Sequence, residues 1–406
     1  MKHPHQAVLE RSNTFEYENK LVTGDTSYKI IDEVTDFKSV ANFWKNEQWH
    51  PYTDIEYYTN VIVNEPNFLK PFILVIYKNN RPETLVIGSI VKDKFSLQIG
   101  YKKLFKVKTK RLVILYGGIL GNQSVENCAK IISILRSQVS KRKVNSIRFK
   151  YIDSESTIFK VIKSSNRILL KDSVIRKNPH YFLSFPGCLE TFLKSRTKKT
   201  RRNIKYYISR IEKAYGDSLT VKCFKDISDY DTIINDTDSI SSHTYQRKLG
   251  VGMIANEQTK ERIKYELQHG RFMSYILYIK GQPVAYWNGL YYKHKVYGVA
   301  TGYLPEFGKV DPGKYIFVTM INDFCENKDI DIMDFGFGEA QYKKEYSTSE
   351  KLEANFHIYA INLKGFYLCY GRAFNTILVL LYSKLKDRIK FLNDIKKKWR
   401  LKLSAA

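Results

Sequence analysis

A repeated order of sequence patterns constrains the fold of this chain more than any single motif. Two apolar runs flank a turn at residues 80–82 in the first half, and two more flank residues 281–283 in the second. Each pair is typical of a β-hairpin. A third strand, a glycine-containing loop, a helix and a further strand follow in both halves, with a longer insertion in the first. The order predicts a divergent internal duplication, although hairpins followed by β-α-β units are common in α/β proteins.

The second copy has the clearest pattern. Strands are predicted at residues 271–279, 284–292 and 296–303, a helix at 314–327 and a short strand at 330–335. The helix prediction depends on apolar residues that recur on one side. In open α/β sheets, ligands bind in the crevice outside the carboxyl ends of the strands. The carboxyl end of the predicted short strand is therefore a candidate binding site.

The length of 406 residues suggests two or three domains. We expect a loose N-terminal tail (1–27), a first unit (28–185), a second unit (186–365) and a basic helical tail (366–406). One long helix is predicted over residues 188–215. The basic run inside it is either a solvated helix face or a contact for a polyanion.

The charge balance is strongly basic. Lys and Arg number 67 and Asp and Glu 41, which gives a net charge of +26. Such an excess attracts nucleic acid, anionic lipid, nucleotide cofactors or acidic polysaccharide without selecting among them. The sequence is also rich in Lys, Ile, Asn and Tyr, so compositional drift explains part of the excess equally well.

The cysteines and the apolar runs of the sequence indicate the cellular compartment in which we expect the protein. The five cysteines have no CxxC spacing, so the sequence predicts neither a disulfide framework nor a metal site, and it favours a reducing environment. The N-terminus lacks the apolar segment of a secretory signal. The longest apolar stretch is too short to span a bilayer. We therefore expect a cytoplasmic protein without a transmembrane segment.

The first candidate site is the run Asp-Phe-Gly-Phe-Gly at 334–338, which is followed by Tyr342 and Lys343. Asp334 at a strand end is a candidate general base, and Tyr342 is a candidate acid or hydrogen-bond donor. Lys343 would neutralise an anionic group. The alternative is a plain strand-to-helix turn. A kinase interpretation fails because no Gly-rich loop or His-Arg-Asp loop is present.

The second candidate site is the predicted helix start at residues 307–315. Free amides and partial positive charge at a helix N-terminus suit a phosphate. Gly308, Lys309, Gly313 and Lys314 would suit a pyrophosphate there. A compatible alternative is that Asp311 caps the helix and Pro312 takes its first position. The segment lacks the spacing of a Walker A loop.

A third cluster lies at residues 242–250 and includes His243, Tyr245 and Arg247. Polar, aromatic and basic side chains ahead of the second unit would suit recognition of an acceptor substrate. The alternative is a solvated helix end.

These motifs together resemble a known family. The run 245–250, the hairpin around 281–285, the start at 311–313 and the Asp-Phe-Gly-x-Gly-x-x-x-Tyr-Lys segment from Asp334 occur in order. They resemble the GNAT-superfamily acetyltransferases of the cellulose-biosynthesis CelD type, also called BioF2-like, which are similar to the tandem-GNAT FemAB transferases. The resemblance implies an α/β (α+β) fold of two tandem GNAT-like units. Each would have a mixed, mostly antiparallel sheet with flanking helices.

The resemblance also implies a reaction. An acyl-CoA such as acetyl-CoA would be the donor, and an amine or hydroxyl of a sugar, polysaccharide or envelope precursor would attack the thioester directly. The third and fourth strands of the second unit would splay apart and hold the pantetheine arm. The helix start from Pro312 to Tyr315 would meet the pyrophosphate, which adds these two residues to the candidates named above. Asp334, Tyr342 and Lys343 would line the transfer site, and the acceptor side would comprise His243, Tyr245, Arg247, Trp287 and Asn288.

The chain departs from this family at the helix start. The usual Gln/Arg-x-x-Gly-x-Gly/Ala signature is absent, and Asp311 stands where CelD-type members commonly have Ser. A carboxylate there opposes a pyrophosphate unless Lys309 or Lys314 offsets it.

Two other functions therefore stay open. One is a FemAB-like transferase that uses aminoacyl-tRNA, which the basic charge favours and the lack of a coiled-coil arm does not. The other is a non-enzymatic protein whose basic helices contact a polyanion or the inner face of a membrane. The first unit is expected to be a degenerate, supporting copy.

Overall fold

One continuous mixed sheet of twelve strands organises the computed structural model. The structure describes residues 26–99, 102–142, 144–165, 170–244, 247, 252–338 and 340–386. The strands are β1 (Thr26–Ile31), β2 (Phe68–Lys78), β3 (Arg81–Ile99), β4 (Lys102–Gly121), β5 (Ser146–Asp153), β6 (Lys177–Ser184), β7 (Leu219–Phe224), β8 (Phe272–Ile279), β9 (Gln282–Tyr292), β10 (Lys295–Tyr303), β11 (Ile332–Asp334) and β12 (Ser349–Tyr359). Their order is β1-β2-β3-β4-β5-β12-β6-β11-β10-β9-β8-β7.

Helices cover the sheet. They are α1 (Ala41–Glu47), α2 (Ile55–Tyr57), α3 (Val125–Lys141), α4 (Thr157–Ser164), α5 (Leu189–Ser195), α6 (Lys198–Tyr215), α7 (Tyr230–Ser242), α8 (Glu257–Gln268), α9 (Pro312–Glu326), α10 (Gln341–Tyr346) and α11 (Leu363–Lys386). No helix in these ranges combines the length and the apolar content that a bilayer crossing requires.

The two halves repeat the predicted order of elements. The hairpin β2–β3 is followed by β4, α3 and β5, and the hairpin β8–β9 is followed by β10, α9 and β11. In both halves the last two strands are parallel, while the hairpin strands are antiparallel. The mixed α/β fold predicted from the sequence is thus confirmed. The insertion in the first half is a long extension of the β3–β4 hairpin, whose pairing runs out to Ile99 and Lys102.

The halves interleave at the centre of the sheet. Strand β12, from the second half, lies between β5 and β6, and β6, from the first half, lies between β12 and β11. The sheet therefore continues across the unit boundary predicted at residue 185, and that boundary stays a prediction. The interleaving brings side chains from both halves to the carboxyl end of β11.

The predicted single helix over residues 188–215 is wrong. The chain forms α5 and α6 with a break at Arg196 and Thr197. The Thr197 side chain accepts a hydrogen bond from the Thr200 amide and so starts a new helix. Arg196 Nη1 donates to the carbonyls of Tyr346 at 3.0 Å and Ser347 at 2.6 Å, which ties the break to the end of α10.

Helix α11 begins at Leu363, three residues before the predicted tail. It packs against β3 and β12 of the sheet. Its opposite face carries an exposed apolar stripe, formed by Phe366, Tyr370, Phe374, Ile377 and Leu381. The remainder of the predicted basic tail, from residue 387, lies outside the described residues.

Candidate functional site

A cavity of about 330 Å³ opens where β10 and β11 separate. The two strands pair only from Lys295–Ile332 to Tyr297–Asp334, and β10 continues to Tyr303 without β11 beside it. The pairing of β10 with β9 also shifts between Gly298 and Ala300. The predicted splay of the third and fourth strands is present. The separation exposes the β10 edge to the cavity over residues 298–301.

A glycine allows the loop after β11 to pass close to β10. Gly336 has a φ of +71°, and a Cβ at that position would lie 2.9 Å from the Gly298 carbonyl oxygen. Only glycine combines this left-handed backbone with so close an approach. The Asp-Phe-Gly sequence therefore lets the chain turn at the cavity rim.

Asp334 lies on the cavity wall at the end of β11 and is 4% exposed. Its Oδ1 contacts His180 Nε2 at 2.5 Å and accepts a hydrogen bond from the Gly336 amide at 2.7 Å. Both hydrogen bonds that Asp334 makes to described residues use Oδ1. Oδ2 thus stays available to accept a proton or a hydrogen bond from a ligand.

A buried imidazole joins Asp334 to a second carboxylate. His180 Nδ1 lies 2.8 Å from Glu353 Oε2, and the Tyr116 hydroxyl donates to Glu353 Oε1 at 3.0 Å. Burial alone would lower the pKa of His180, but hydrogen bonds to the two carboxylates outweigh it and raise that pKa to about 9. At neutral pH the site thus contains an imidazolium between two carboxylates.

His180, Glu353 and Tyr116 were not among the residues predicted from the sequence. His180 lies on β6, Glu353 on β12 and Tyr116 on β4, so only the interleaved sheet brings them together. The local signal was weak. A buried polar residue within a strand is visible as a break in the apolar pattern, but the sequence does not show its partner.

Lys343 fixes the loop that follows β11. Its Nζ donates to the carbonyls of Gly336 at 3.1 Å and Phe337 at 3.0 Å. Burial lowers the pKa of Lys343 to about 8, although the nearby Asp334 carboxylate acts in the opposite direction. The side chain also lines the cavity. Two of its three donors hold the loop, so one is left for an anionic group.

Tyr342 presents its ring to the cavity beside Phe317 and Phe335, with centroid distances of 5.8 and 6.1 Å. Burial raises the pKa of the Tyr342 hydroxyl to about 12. The hydroxyl is therefore protonated at neutral pH and can donate a proton or a hydrogen bond. Asp334, Tyr342 and Lys343, which the sequence motif predicted together, all line one cavity.

The first half of the chain supplies the opposite wall, through His50, Pro51 and Tyr52. His50 Nδ1 accepts a hydrogen bond from the Tyr52 amide at 3.1 Å, so the neutral ring carries its proton on Nε2. Burial lowers the pKa of His50 to about 3, which keeps the ring neutral. Residues of the first half thus line the cavity, while the supporting role expected of the first unit stays a prediction.

The start of α9 is capped from within the chain. Asp311 has a φ of 52°, and its Oδ1 accepts a hydrogen bond from the Lys314 amide at 3.3 Å. Its Oδ2 pairs with Lys314 Nζ. Pro312 takes the first helical position, as the capping alternative predicted.

The cap changes what the helix start can bind. A diphosphate here would meet the carboxylate of Asp311 unless Lys314 turned from that carboxylate to the ligand. None of the six residues predicted to bind the pyrophosphate lines the 330 Å³ cavity. Gly308 and Lys309 are exposed ahead of the helix, Pro312 is buried, and Gly313, Lys314 and Tyr315 are half-buried in its first turn.

Of the predicted acceptor residues that the structure describes, one lines the cavity and the others do not. Trp287 lines the cavity, whereas Asn288, which follows it on β9, points to the other face and accepts a hydrogen bond from Ser274 Oγ at 2.7 Å. Arg247 is held by Asp238 Oδ1 at 2.7 Å and does not line the cavity.

His243 ends α7 and is exposed, with its Nδ1 2.8 Å from the Ser239 carbonyl oxygen. Tyr245 lies outside the described residues. The roles predicted for both on the acceptor side stay predictions.

The described residues contain no group of His, Cys, Asp and Glu side chains suited to holding a metal ion.

A buried carboxylate lies behind the cavity wall. Glu266 is 1% exposed, and neither of its oxygens has a hydrogen-bond partner among the described residues. It lines a small void with Tyr52 and Val299, which also line the main cavity. Burial raises the pKa of Glu266 from an ordinary 4.5 to about 7.

Glu266→Gln is expected to change the free energy of unfolding more favourably at pH 8 than at pH 4.5. The folded state holds the proton of Glu266 more tightly than the unfolded state does, so ionising this group costs stability as the pH rises from 4.5 to about 7. One pKa unit is worth about 1.4 kcal/mol, so the difference is about 3 kcal/mol. Urea unfolding at the two pH values measures it. The control is Glu261→Gln at an exposed position of α8, and equal effects of both variants would contradict the prediction.

Comparison with known proteins finds a similarity in the second half of the chain. Residues 198–344 match the family model described as an acetyltransferase (GNAT) domain, a span that includes β10, β11 and Asp334 through Lys343. This match confirms the predicted resemblance and the prediction of an acyltransferase enzyme. No curated protein sequence matches the chain significantly.

Solved structures also resemble this chain. FemX superposes with a TM-score of 0.56 at 8% identity, over 84% of this chain and 100% of that chain. A conserved protein of unknown function from Bacteroides thetaiotaomicron gives a TM-score of 0.49 at 10% identity, over 82% and 99%. A tandem GNAT protein from the clavulanic acid biosynthesis pathway gives 0.49 at 8%, over 81% and 98%. At 8% identity the likeness to FemX concerns the fold alone.

Proposed function

We propose that this chain transfers an acyl group from an acyl-CoA to an amine or hydroxyl of a sugar-containing acceptor, because residues 198–344 match the model of an acetyltransferase (GNAT) domain. The observation that carries the proposal is the separation of β10 and β11 beside Asp334. It opens one cavity that contains an exposed strand edge, a carboxylate and a protonated phenol. These groups suit a thioester donor and a nucleophilic acceptor.

The donor side of the cavity suits an extended amide-containing arm. A strand edge presents backbone N–H and C=O groups to a ligand that lies along it, as in β-strand addition. Residues 299–301 would hold the pantetheine arm in this way. The bound donor would supply an acyl carbon activated as a thioester.

Three side chains would act on the reacting groups. Asp334 Oδ2 would accept the proton that the attacking amine or hydroxyl loses. His180 and Glu353 would hold Asp334 in position, and the imidazolium would balance its charge. The Tyr342 hydroxyl would donate a hydrogen bond or a proton to the departing sulfur.

The acceptor side is aromatic. Trp287 and Tyr297 line the cavity from the second half, and Tyr52 lines it from the first. Aromatic faces with nearby polar tips bind the apolar and hydroxyl faces of a sugar ring. The Nε2–H of His50 adds a fixed donor. These features support a glycan or envelope precursor as acceptor, and we propose that the enzyme acts in the cytoplasm.

Titration calorimetry with acetyl-CoA tests the donor, and release of free thiol in the presence of amino sugars tests the transfer. We expect binding in the micromolar to millimolar range and thiol release that requires the acceptor. Absence of binding by the folded protein at millimolar acetyl-CoA would exclude the acyl-CoA proposal.

A second candidate, transfer from aminoacyl-tRNA, has one specific observation in its favour. The Asp311 carboxylate occupies the helix start where a CoA diphosphate would bind. The net charge of +26 also suits a polyanionic donor. Aminoacyl-tRNA that binds no better than a random polyanion at physiological salt would exclude this alternative.

Asp311→Asn is expected to tighten acetyl-CoA binding about tenfold. Asparagine keeps the cap and tolerates the left-handed backbone, while the substitution removes a charge that opposes the diphosphate and frees Lys314. Calorimetry with acetyl-CoA measures the change. Acetyl-pantetheine, which lacks the diphosphate, is the control ligand, and its affinity should stay the same. Equal shifts for both ligands would show that the diphosphate does not bind at the start of α9.

A further inference from the structure

A second cavity, of about 500 Å³, lies between the sheet of the first half and helix α11. It shares no lining residue with the cavity at Asp334. We call it the arginine pocket. Its charged lining consists of Lys94, Arg111, Arg148, Arg176 and Arg372 with Asp93 and Asp172. The cations exceed the anions in this lining, so the pocket has an excess of positive charge.

The two carboxylates of the arginine pocket are already used. Asp93 Oδ2 pairs with Arg111 Nη1, and Asp93 Oδ1 accepts from the Lys94 amide at 2.6 Å. Asp172 Oδ2 accepts from the backbone and ring of His357, both at 2.9 Å, and its Oδ1 accepts from the Tyr359 hydroxyl at 2.6 Å. These bonds hold both acids against the walls, where neither neutralises Arg148.

Arg148 is a half-buried cation of this lining without a carboxylate partner among the described residues. Its Nε and Nη2 donate to one acceptor, Asn355 Oδ1, at 3.3 and 3.1 Å. No described carboxylate lies within ion-pair distance of it. Burial, together with repulsion from Arg111 and Arg372, lowers the pKa of Arg148. A half-buried guanidinium in this state is unfavourable unless an anion binds to it.

We propose that the arginine pocket is a second ligand site that binds a phosphate group through Arg148, with Arg176 and Arg372 at its sides. A guanidinium presents parallel N–H groups that match two phosphate oxygens, and Arg148 has Nη1 still available. The volume exceeds that of one inorganic phosphate. It therefore suits a diphosphate or a phosphate joined to an organic group.

The phosphate has two chemical sources. One is a soluble phosphate ester or diphosphate. The other is the head group of an anionic lipid, because the wall formed by α11 carries an exposed apolar stripe on its outer face. The proposal concerns the shared phosphate chemistry and does not depend on the proposed acyl transfer.

Arg148→Gln tests the proposal in the full-length protein. Sodium pyrophosphate and inorganic phosphate are titrated by calorimetry at fixed ionic strength, and the rise in Tm with pyrophosphate is followed in parallel. We expect Arg148→Gln to weaken pyrophosphate binding about tenfold and to reduce the rise in Tm at a given pyrophosphate concentration. Arg81→Gln, at an exposed position of the same half outside the pocket, removes an equal charge and should change neither.

Flotation with vesicles distinguishes the sources. Binding to phosphatidylcholine vesicles that contain phosphatidylglycerol, but not to phosphatidylcholine alone, indicates a lipid phosphate when it depends on Arg148. Binding of pyrophosphate with no Arg148-dependent flotation indicates a soluble ligand. If Arg148→Gln does not fold, Arg176→Gln at the exposed rim takes its place, with a loss of several-fold.

Two results would overturn the proposal. One is that neither phosphate compound nor the anionic vesicles bind to the wild-type protein. The other is that the Arg148 and Arg81 variants weaken binding alike. The second result would assign the binding to the overall positive charge and not to this pocket.

Discussion

Asp334→Asn is expected to lower kcat/KM by roughly 10²–10⁴ while acetyl-CoA affinity stays nearly constant. The amide keeps the size of the side chain but cannot accept the proton that the attacking group loses. The donor arm is expected to bind along β10, so its affinity does not depend on this carboxylate. Steady-state kinetics with a saturating acceptor, together with calorimetry for the donor, measure the two effects separately.

Glu353→Gln is the matched control for Asp334→Asn. It removes the same charge from the other side of the same imidazole, but Glu353 does not line the cavity. A base role for Asp334 requires that the Asp334 variant lose far more activity than the Glu353 variant. Equal losses would instead assign both carboxylates to holding His180. Wild-type turnover by Asp334→Asn would exclude Asp334 from the chemistry.

His180→Gln is expected to destabilise the protein by about 3–5 kcal/mol at neutral pH. His180 is 2% exposed and lies between Asp334 and Glu353, each 4% exposed. Without the imidazolium, two buried carboxylates would face each other with no cation between them. Urea unfolding at pH 7 measures the loss. His269→Gln, the same substitution at an exposed site, should cost little.

The pH dependence tests the cause of that loss. The pKa of His180 rises from an ordinary 6.5 to about 9 in the folded protein. Its contribution is therefore complete below pH 6.5 and disappears as the pH rises to about 9, a change of about 3 kcal/mol. The difference in stability between wild type and His180→Gln should shrink over this window. Lys343, whose pKa is lowered to about 8, makes the folded state more stable as the pH rises, which opposes the effect of His180. Because wild type and His180→Gln both contain Lys343, its contribution is reduced in the difference between them. A constant difference would contradict an imidazolium at this site.

Local patterns in the sequence predicted much of the fold. Hairpins, the parallel β-α-β order and the helix before β11 all follow from apolar periodicity and from turn residues, which act over short distances. The same method joined α5 and α6 wrongly, because the basic face continues through Arg196 while the Thr197 cap interrupts only the backbone. It also missed the exchange of β6 and β12, since strand partners far apart in sequence leave no periodic signal.

At the candidate site, too, features within one short segment could be predicted, whereas contacts between distant strands could not. That Asp334, Tyr342 and Lys343 line one cavity was predictable, because they lie within one short motif that the strand end and the following helix hold together. Their catalytic roles stay predictions. His180 is 154 residues from Asp334 and 173 residues from Glu353, so their contact depends on sheet register alone. The sequence showed that a carboxylate, Asp311, stands at the helix start, where it would oppose a diphosphate. The pairing of Asp311 with Lys314 required the structure.

The interleaving of β6 and β12 also determines when the cavity can form during synthesis. Strand β12 begins at Ser349, and β5 and β6 pair with it, not with each other. The centre of the sheet therefore closes only after most of the chain has left the ribosome. Contacts between residues so distant in sequence form slowly, and the edges of β5 and β6 stay unpaired until then. A nascent chain that stops before β12 would expose two unpaired strand edges, which are prone to aggregate, and its candidate site would be incomplete. We therefore expect folding of the nascent chain to depend on chaperones.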